Sequence, residues 1–243
     1  MKGKVSVCMA TYNGASYIRE QLDSILCQLG PEDEVIISDD GSLDGTLDVI
    51  ASIHDSRIRV VHHVKDPKIS RTPEIVGANF ENALSHCSGE YIFISDQDDI
   101  WLPDKVGTMT SYLSKYALVA CNARILMDGK ETDRMIYRDR QPVRNYTLRR
   151  GKYYGCCMAF TRDMLRYVLP FPSKLPLYDY WIGLISEIVG GAYYISEPLV
   201  LHRVHASNTS RTLKLSSGYK IFYRFRLLAQ LYFRLLFILL KIE

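Results

Sequence analysis

No stretch of this chain is apolar for the roughly 20 residues that a membrane-spanning helix needs. The N-terminal segment MKGKVSVCMATYNG has one short apolar run and no secretory pattern. The six cysteines, Cys8, Cys27, Cys87, Cys121, Cys156 and Cys157, include no CxxC pair and no spacing of a disulfide framework. A reducing, cytoplasmic setting is therefore expected. Low-complexity tracts and internal repeats are absent. The net charge of +3 is too mild to call for nucleic acid. A Gly-rich phosphate loop is missing as well: ATYNGAS follows the first apolar run where a dehydrogenase would carry GxGxxG, and no Gly-rich loop bearing Lys or Arg suggests a nucleotidyltransferase.

What is present is ordinary for a globular protein, with 47% hydrophobic and 23% charged residues. At 243 residues the chain suits one large domain or two tightly joined halves. Cys8, Cys27 and Cys87 fall in apolar runs and are expected to be plain buried thiols.

The first hundred residues alternate strand and helix signals. Val5 to Met9 reads as a strand, and Ile18, Leu22, Ile25, Leu26 and Leu29 as a helix face. Glu34 to Ser38 and Arg57 to His62 read as further strands. Leu47, Val49, Ile50 and Ile53 mark one intervening helix, and Ile75, Phe80, Ala83, Leu84 and Cys87 another. Tyr91 to Ser95 is a fourth strand. This series predicts an α/β fold with a Rossmann-like, mainly parallel central sheet flanked by helices. Its ligand crevice should gather the carboxyl ends of strands one, two and four.

Three polar segments follow those strands: Thr11-Tyr12-Asn13-Gly14, Asp39-Asp40-Gly41-Ser42, and Ser95 to Asp99. Singly, each has a plain reading, with Asn13, Ser42 or Asp44 as helix N-caps. Jointly, they outline a site. The run YIFISDQDDIW carries its chemistry, since a buried strand leads directly into Asp96, Asp98 and Asp99. In extended chain Asp96 and Asp98 point to one side, with Gln97 and Asp99 on the other. Like charges that close suit a hard divalent cation shared with a phosphate; an acidic turn that caps the next helix is the plainer alternative.

The second half is less regular. Residues 124–150 hold seven arginines and few large apolar residues, which predicts a loop-rich excursion. An apolar stretch resumes at Tyr153 to Phe160, with Cys156 and Cys157 in a strand. Helices are expected over 163–169 and 179–189, and a strand from Ala192 to Ile195.

The motifs resemble family 2 glycosyltransferases, inverting enzymes of the GT-A fold, over roughly residues 4–205. VSVCMATYNGASYIREQLDSILCQ is similar to the family's opening strand and helix, and EVIISDDGSLDGT to its second nucleotide-contacting loop. ISDQDDIW resembles the DxD motif in the form common among bacterial cell-surface polysaccharide enzymes, rhamnosyltransferase-like ones included. GCCMAF, YDYWIG and EPLVLHRVHASN resemble later blocks of the same subgroup. The resemblance implies that residues 1–110 form a nucleotide-sugar-binding half and residues 111–210 an acceptor-binding half of the same domain. It implies that Asp98, with Asp96, holds Mn2+ or Mg2+ against the donor diphosphate, and that His205 approaches the metal from a closing loop. Thr11, Tyr12 and Asn13 would line the base and ribose, Asp39 or Asp40 would accept a hydrogen bond from a pyrimidine ring, and Asp99 would contact the donor sugar. Asp179, in Tyr178-Asp179-Tyr180-Trp181, matches the family's acidic base, its basicity raised by partial desolvation among aromatics. The chain departs from relatives in carrying Tyr178 and Tyr180 where His and Trp are common, and His202 in place of an aromatic.

Residues 211–243 form a tail of different character. Arg226, Gln230, Arg234 and Lys241 fall near one helical stripe, with leucines and aromatics over the rest; the longest apolar run there is six residues. This predicts an amphipathic helix lying in a membrane interface with its arginines near anionic lipid, or a helix docked on the core or on a homodimer partner. The implied activity is transfer from a UDP- or dTDP-sugar to a lipid-linked glycan, such as an undecaprenyl-diphosphate-linked O-antigen or capsule unit, by a peripheral protein on the inner face of the membrane. A catalytically idle scaffold and another nucleotide-using α/β enzyme are the rivals.

Overall fold

The computed structural model describes residues 3–137, 153–173, 175, 177–205, 208 and 217–240. Its first half follows the apolar periodicity. The elements in order are β1 (Val5–Thr11), α1 (Ile18–Leu26), β2 (Glu34–Asp39), α2 (Thr46–Ala51), β3 (Ile58–His62), α3 (Thr72–Leu84) and β4 (Tyr91–Ser95). Strands β3, β2, β1 and β4 lie side by side and parallel. Helix α1 buries Ile18, Leu22, Ile25 and Leu26, and α3 buries Phe80, Ala83 and Leu84. Thr11 pairs with Asp39 and Met9 with Ser95, so the carboxyl ends of β1, β2 and β4 open at one edge of the sheet.

The sheet turns mixed in the second half, built from β5 (Ile100–Trp101), α4 (Lys105–Leu113), β6 (Leu118–Met127), β7 (Lys130–Met135), β8 (Met158–Thr161), α5 (Leu165–Val168), α6 (Tyr178–Gly190), β9 (Ala192–Val204) and α7 (Ser217–Leu240). Strand β8 runs antiparallel between β4 and β6, β9 is parallel to β6, and β5 closes the far edge. The curled sheet with helices around it is the α/β architecture expected of a GT-A fold.

Several local expectations change. The predicted excursion over 124–150 begins instead as a hairpin. Strand β6 turns at Asp128-Gly129, both at positive φ (52° and 72°), into the largely exposed edge strand β7. Asp-Gly between two strands is a hairpin signal, masked here because β7 (KETDRM) has no apolar alternation. Residues 138–150 of that expectation lie outside the described residues. Strand β9 runs on past Ile195 to Val204; the register slips where Pro198, which has no N–H to give a ladder, pairs with Asn122. Cys156 and Cys157 sit in a 3-10 turn, Gly155–Cys157, and the strand starts only at Met158. Cys8 and Cys87 are buried, but Cys27 is exposed, because it caps the end of α1 on the side away from the sheet.

The largest revision concerns α7. Arg226 and Arg234 face the protein. The Arg234 guanidinium donates to the carbonyls of Tyr167 and Leu169 (both 2.9 Å) and of Pro170 (2.6 Å), and lies 5.3 Å from the Trp181 ring centre. Those carbonyls lie at and just past the C-terminal end of α5, where helix carbonyls have no N–H donors of their own. Arg226 donates to the Ser173 carbonyl, and Leu227 and Leu231 are buried beside it. The outward face is apolar: Phe225, Leu228, Tyr232, Phe233, Phe237, Leu239 and Leu240 are exposed, Leu239 by 79%. The stripe expected to meet lipid headgroups is spent on the protein instead. Lys241 lies outside the described residues. Among the described residues no helix is long and apolar enough to cross a membrane.

Candidate active site

The loop after β1 is laced to its neighbours. The Thr11 hydroxyl donates to Gln97 Oε1 (2.5 Å), the Tyr12 N–H donates to the same oxygen (2.9 Å), and Gln97 Nε2 donates to the Tyr12 carbonyl (3.1 Å). Gln97, between the two outer aspartates of the acidic run, thus grips the Tyr12 backbone at both its polar groups. Tyr12 itself keeps its ring half exposed. Asn13 sits at φ 49° and turns sideways, where its N–H donates to Ser42 Oγ and its Oδ1 accepts from Leu43 N–H, both 2.9 Å. Gly14 and Ala15 donate to Thr46 Oγ1 and Asp44 Oδ2. Asn13 is therefore no helix cap; it staples the first loop to the second.

The two aspartates after β2 differ. Asp39, nearly fully buried, accepts from the N–H groups of Gly41 and Ser42 on one oxygen and from the Ser42 hydroxyl on the other, which closes its own turn. Asp40 accepts from His63 Nδ1 at 2.7 Å and from Lys65 Nζ at 3.1 Å.

Past Ser95 the chain bends, and the acidic residues take separate partners. Asp98 Oδ2 meets His205 Nε2 at 2.7 Å, and the His205 ring stacks on Tyr17 with centroids 4.7 Å apart. Asn208 Nδ2 also reaches toward Asp98 (3.4 Å). Asp99 is sealed inside, where Oδ1 accepts from His202 Nδ1 (2.9 Å) and from Arg203 N–H (3.0 Å). Arg203 Nε donates to the Asp98 carbonyl (2.9 Å), and its guanidinium pairs with Glu20 of α1. The end of β9 thereby clamps the acidic loop from behind.

Electrostatics follow the same division. Burial, then the charges of Asp99 and Asp98, push the Asp96 carboxyl well above the usual range. Burial and Asp99 raise Asp98, and His205 offsets part of that. Burial alone would raise Asp99 too, but His202 and the Arg203 N–H carry it below the ordinary value. For His202, burial opposes the charged ring, yet the Asp99 carboxylate pushes it up to about 12.

This donor set fits a divalent cation. Asp98 and His205 already pair, and burial together with the charges of neighbouring aspartates raises both the Asp96 and the Asp98 carboxyl, a penalty on their charged forms that a dication relieves. The trio Asp99, Cys156 and His202 has its donor atoms within 4.8 Å of one another. It suits a metal poorly, because His202 Nδ1 is occupied by the proton it shares with Asp99.

Asp179 stands in the first turn of α6, half-buried, with Oδ1 accepting from Tyr180 N–H (2.9 Å). Its charge reaches Asp96 and raises that carboxyl further. The neighbouring Tyr178 ring stacks on Phe80 (4.2 Å), and its hydroxyl fills the space a side chain at Gly155 would need. Trp181 Nε1 donates to the Val168 carbonyl (2.8 Å), which fixes the start of the helix.

Sequence reasoning left out Gln97, His63, Lys65, Lys105 and Asn208, and had no role for His202. His63 and Lys65 follow the third strand at the same sheet edge as the other loops, which was the available signal. Lys105 is fully buried, its ammonium donating to the Cys156 carbonyl (2.8 Å) and lying 4.0 Å from the Trp101 ring centre; nothing in its sequence context marks it.

A model of glycosyl transferase family 2 matches residues 6–169, most of the chain and all three loops. The chain belongs to that family. Among family relatives, a Bacillus subtilis (strain 168) protein, TuaG, named as a teichuronic acid biosynthesis glycosyltransferase, is 26% identical over 96% of this chain and 91% of its own length. An uncharacterized glycosyltransferase of Rickettsia bellii is 27% identical over 86% of this chain, and one of Rickettsia typhi 25%. This chain spans only 31% and 66% of those two proteins' lengths. The fold is shared with S. aureus TarS 1-349 in complex with UDP-GlcNAc (TM-score 0.67, 17% identity, 88% of this chain and 62% of that one). It is shared too with the mannosyltransferase PcManGT of Pyrobaculum calidifontis in complex with GDP-Man and Mn2+ (TM-score 0.62, 22% identity, 91% and 60%).

Proposed function

We propose that this chain transfers a sugar, with inversion, from a UDP- or dTDP-sugar to a lipid-linked glycan such as an undecaprenyl-diphosphate-linked O-antigen or capsule unit, at the inner face of the cell membrane. The observation that carries this reading is the pairing of Asp98 with His205 just after β4, with the charges of Asp98, Asp99 and Asp179 all acting on the neighbouring Asp96. Mn2+ or Mg2+ held by Asp98, Asp96 and His205 would neutralise the departing diphosphate. Thr11, Tyr12 and Asn13 shape the nucleoside side of the crevice, and Asp39 and Asp40 form its floor. Asp179 accepts the proton of the acceptor hydroxyl as that oxygen attacks the anomeric carbon from the face opposite the diphosphate. Asp99 braces the loop from within. The ligands in the TarS and PcManGT structures, a UDP-sugar in one and a GDP-sugar with Mn2+ in the other, support a nucleotide-sugar donor.

Donor binding is the first test. A donor at about a hundredfold its Kd stabilises the native state by about 2.7 kcal/mol, roughly 5–11 °C in Tm for a chain of this size. The expected shift occurs with UDP- or dTDP-sugars plus Mn2+ and is lost on chelation. Flat melting curves with every nucleotide sugar and metal would sink the reading.

The outward apolar face of α7 supports a membrane-surface site, where a lipid-linked acceptor must be met. Contiguous exposed apolar surface of this kind marks an interaction face, and an interfacial helix buries such a face at the acyl boundary. Phe237→Asp with Leu239→Asp is expected to abolish co-sedimentation with phospholipid vesicles and leave the melting temperature unchanged, since both side chains point away from the core. Undiminished vesicle binding by that variant would remove α7 from the interface.

A further inference from the structure

The chain that leaves α5 offers four consecutive carbonyls, those of Tyr167, Val168, Leu169 and Pro170, and two side chains take all of them. Arg234 of α7 holds the first, third and fourth, and the Trp181 indole of α6 holds the second. The guanidinium also faces the Trp181 ring, so the two side chains meet over the turn they share. The next N–H along, that of Phe171, donates to Glu81 (2.7 Å), which ties the same turn to α3.

Trp181 has no exposed surface and stands two residues after Asp179. An indole held by its N–H and by its ring face fixes the rotation of the first turn of α6 about its own axis. That rotation decides where Asp179 points. The opposite side of α7 is of another kind. Between residues 225 and 240 the only charged side chains are Arg226 and Arg234, both turned to the protein. Phe225, Leu228, Tyr232, Phe233, Phe237 and Leu239 face outward, a charge-free surface that suits the acyl boundary of a bilayer.

We propose that Arg234 is a positioning residue for the start of α6, and that seating the outer face of α7 on a lipid surface tightens the acceptor side of the site through Arg234 and Trp181. This inference rests on the membrane-surface part of the proposed function and adds regulation by the bilayer to it; the identity of the donor does not enter.

The coupling has a simple energetic origin. A helix in water draws most of its stability from what its faces pack against, and α7 packs on α6. A bilayer supplies a second support, and a helix already ordered by lipid docks at a lower entropic cost. Leu227 and Leu231 bury apolar area on the inner side without fixing a direction. The hydrogen bonds of the guanidinium have preferred angles, so Arg234 is the contact that transmits orientation.

The test uses the full chain carrying Trp101→Phe, which leaves Trp181 as its one tryptophan, and vesicles of phosphatidylcholine with phosphatidylglycerol. Trp181 faces protein on all sides, so lipid does not reach it directly. Vesicles are expected to shift its emission and to slow amide exchange over residues 178–182 by about fivefold or more, the low end of coupling between two sites. Arg234→Met keeps the stem and removes the donors. It is expected to co-sediment with the same vesicles, to show no emission shift, and to exchange those amides about tenfold faster without lipid. Arg234→Lys, which keeps a charge and three donors, should recover part of both effects, and it carries the comparison if the Met variant does not fold. Amides in the loops after β1, β2 and β4 should keep their wild-type rates. The proposal is overturned if Arg234→Met responds to vesicles as the wild type does, or if its faster exchange spreads equally over those loops. Co-sedimentation of the wild type with no response at Trp181 overturns the coupling and leaves the membrane-surface reading standing. Failure of the wild type to co-sediment overturns both.

Discussion

Asp179→Asn is expected to lower kcat by about 10²- to 10⁴-fold, the range for loss of a positioned general base, while donor affinity stays within about threefold. The asymmetry comes from where Asp179 sits. It belongs to the first turn of α6, not to the loops after β1, β2 and β4 that would contact the nucleotide in the proposed reading. Asparagine keeps the volume and the oxygen that accepts from Tyr180 N–H, so the helix start and the Tyr178 and Trp181 packing survive. What disappears is the capacity to take a proton. Donor titration and steady-state turnover on the same preparation separate the two effects. Wild-type turnover in the variant would take Asp179 out of the mechanism, and a large loss of donor affinity would move it into the donor site.

His202→Phe is expected to cost about 3–5 kcal/mol, the penalty for leaving one member of a buried ion pair without its partner, or roughly 6–20 °C in Tm. Asp99 has no exposed surface, and after the substitution only the Arg203 N–H and the weak Cys156 thiol face its charge. Adding Asp99→Asn removes that charge, keeps an acceptor for Arg203, and should recover most of the loss. The pH dependence has a definite sign. His202 titrates near 6.5 unfolded but holds its proton to about 12 in the fold. Its contribution is complete below about pH 6.5 and drains away as the pH climbs toward 12. The stability gap between the wild type and the double variant should therefore be wider at pH 6 than at pH 9.5 in urea unfolding. An equal gap at both would mean that His202 is not protonated in the folded chain.

The parallel half of the fold was legible because burial imposes period. Ile18, Leu22 and Ile25 on α1 and the unbroken apolar runs of β1, β2 and β4 have no other economical arrangement. The site loops were legible for a related reason, since polar residues directly after such strands have only the sheet edge to occupy. Elsewhere the period fails. β7 is exposed on both faces and leaves only its Asp-Gly turn as a trace. Pro198 interrupts β9 without ending it. Helix α7 is apolar over most of its circumference, so its few arginines could be placed on a stripe but not assigned a direction; the free carbonyls at the end of α5, unseen in sequence, decided it. The partners of Asp40, Asp98 and Asp99 come from 23 to 110 residues away, a separation that spacing rules do not reach.

The double grip of Gln97 on Tyr12 has a mechanical consequence. The residue that would stack on the base and the run that would face the diphosphate are parts of one plate, joined by a side chain that mimics a strand pairing. A force on either end is transmitted to the other without slack. The crevice therefore has no independent hinge between nucleoside and phosphates, and a chain with a different residue at 97 would have to re-solve both ends together.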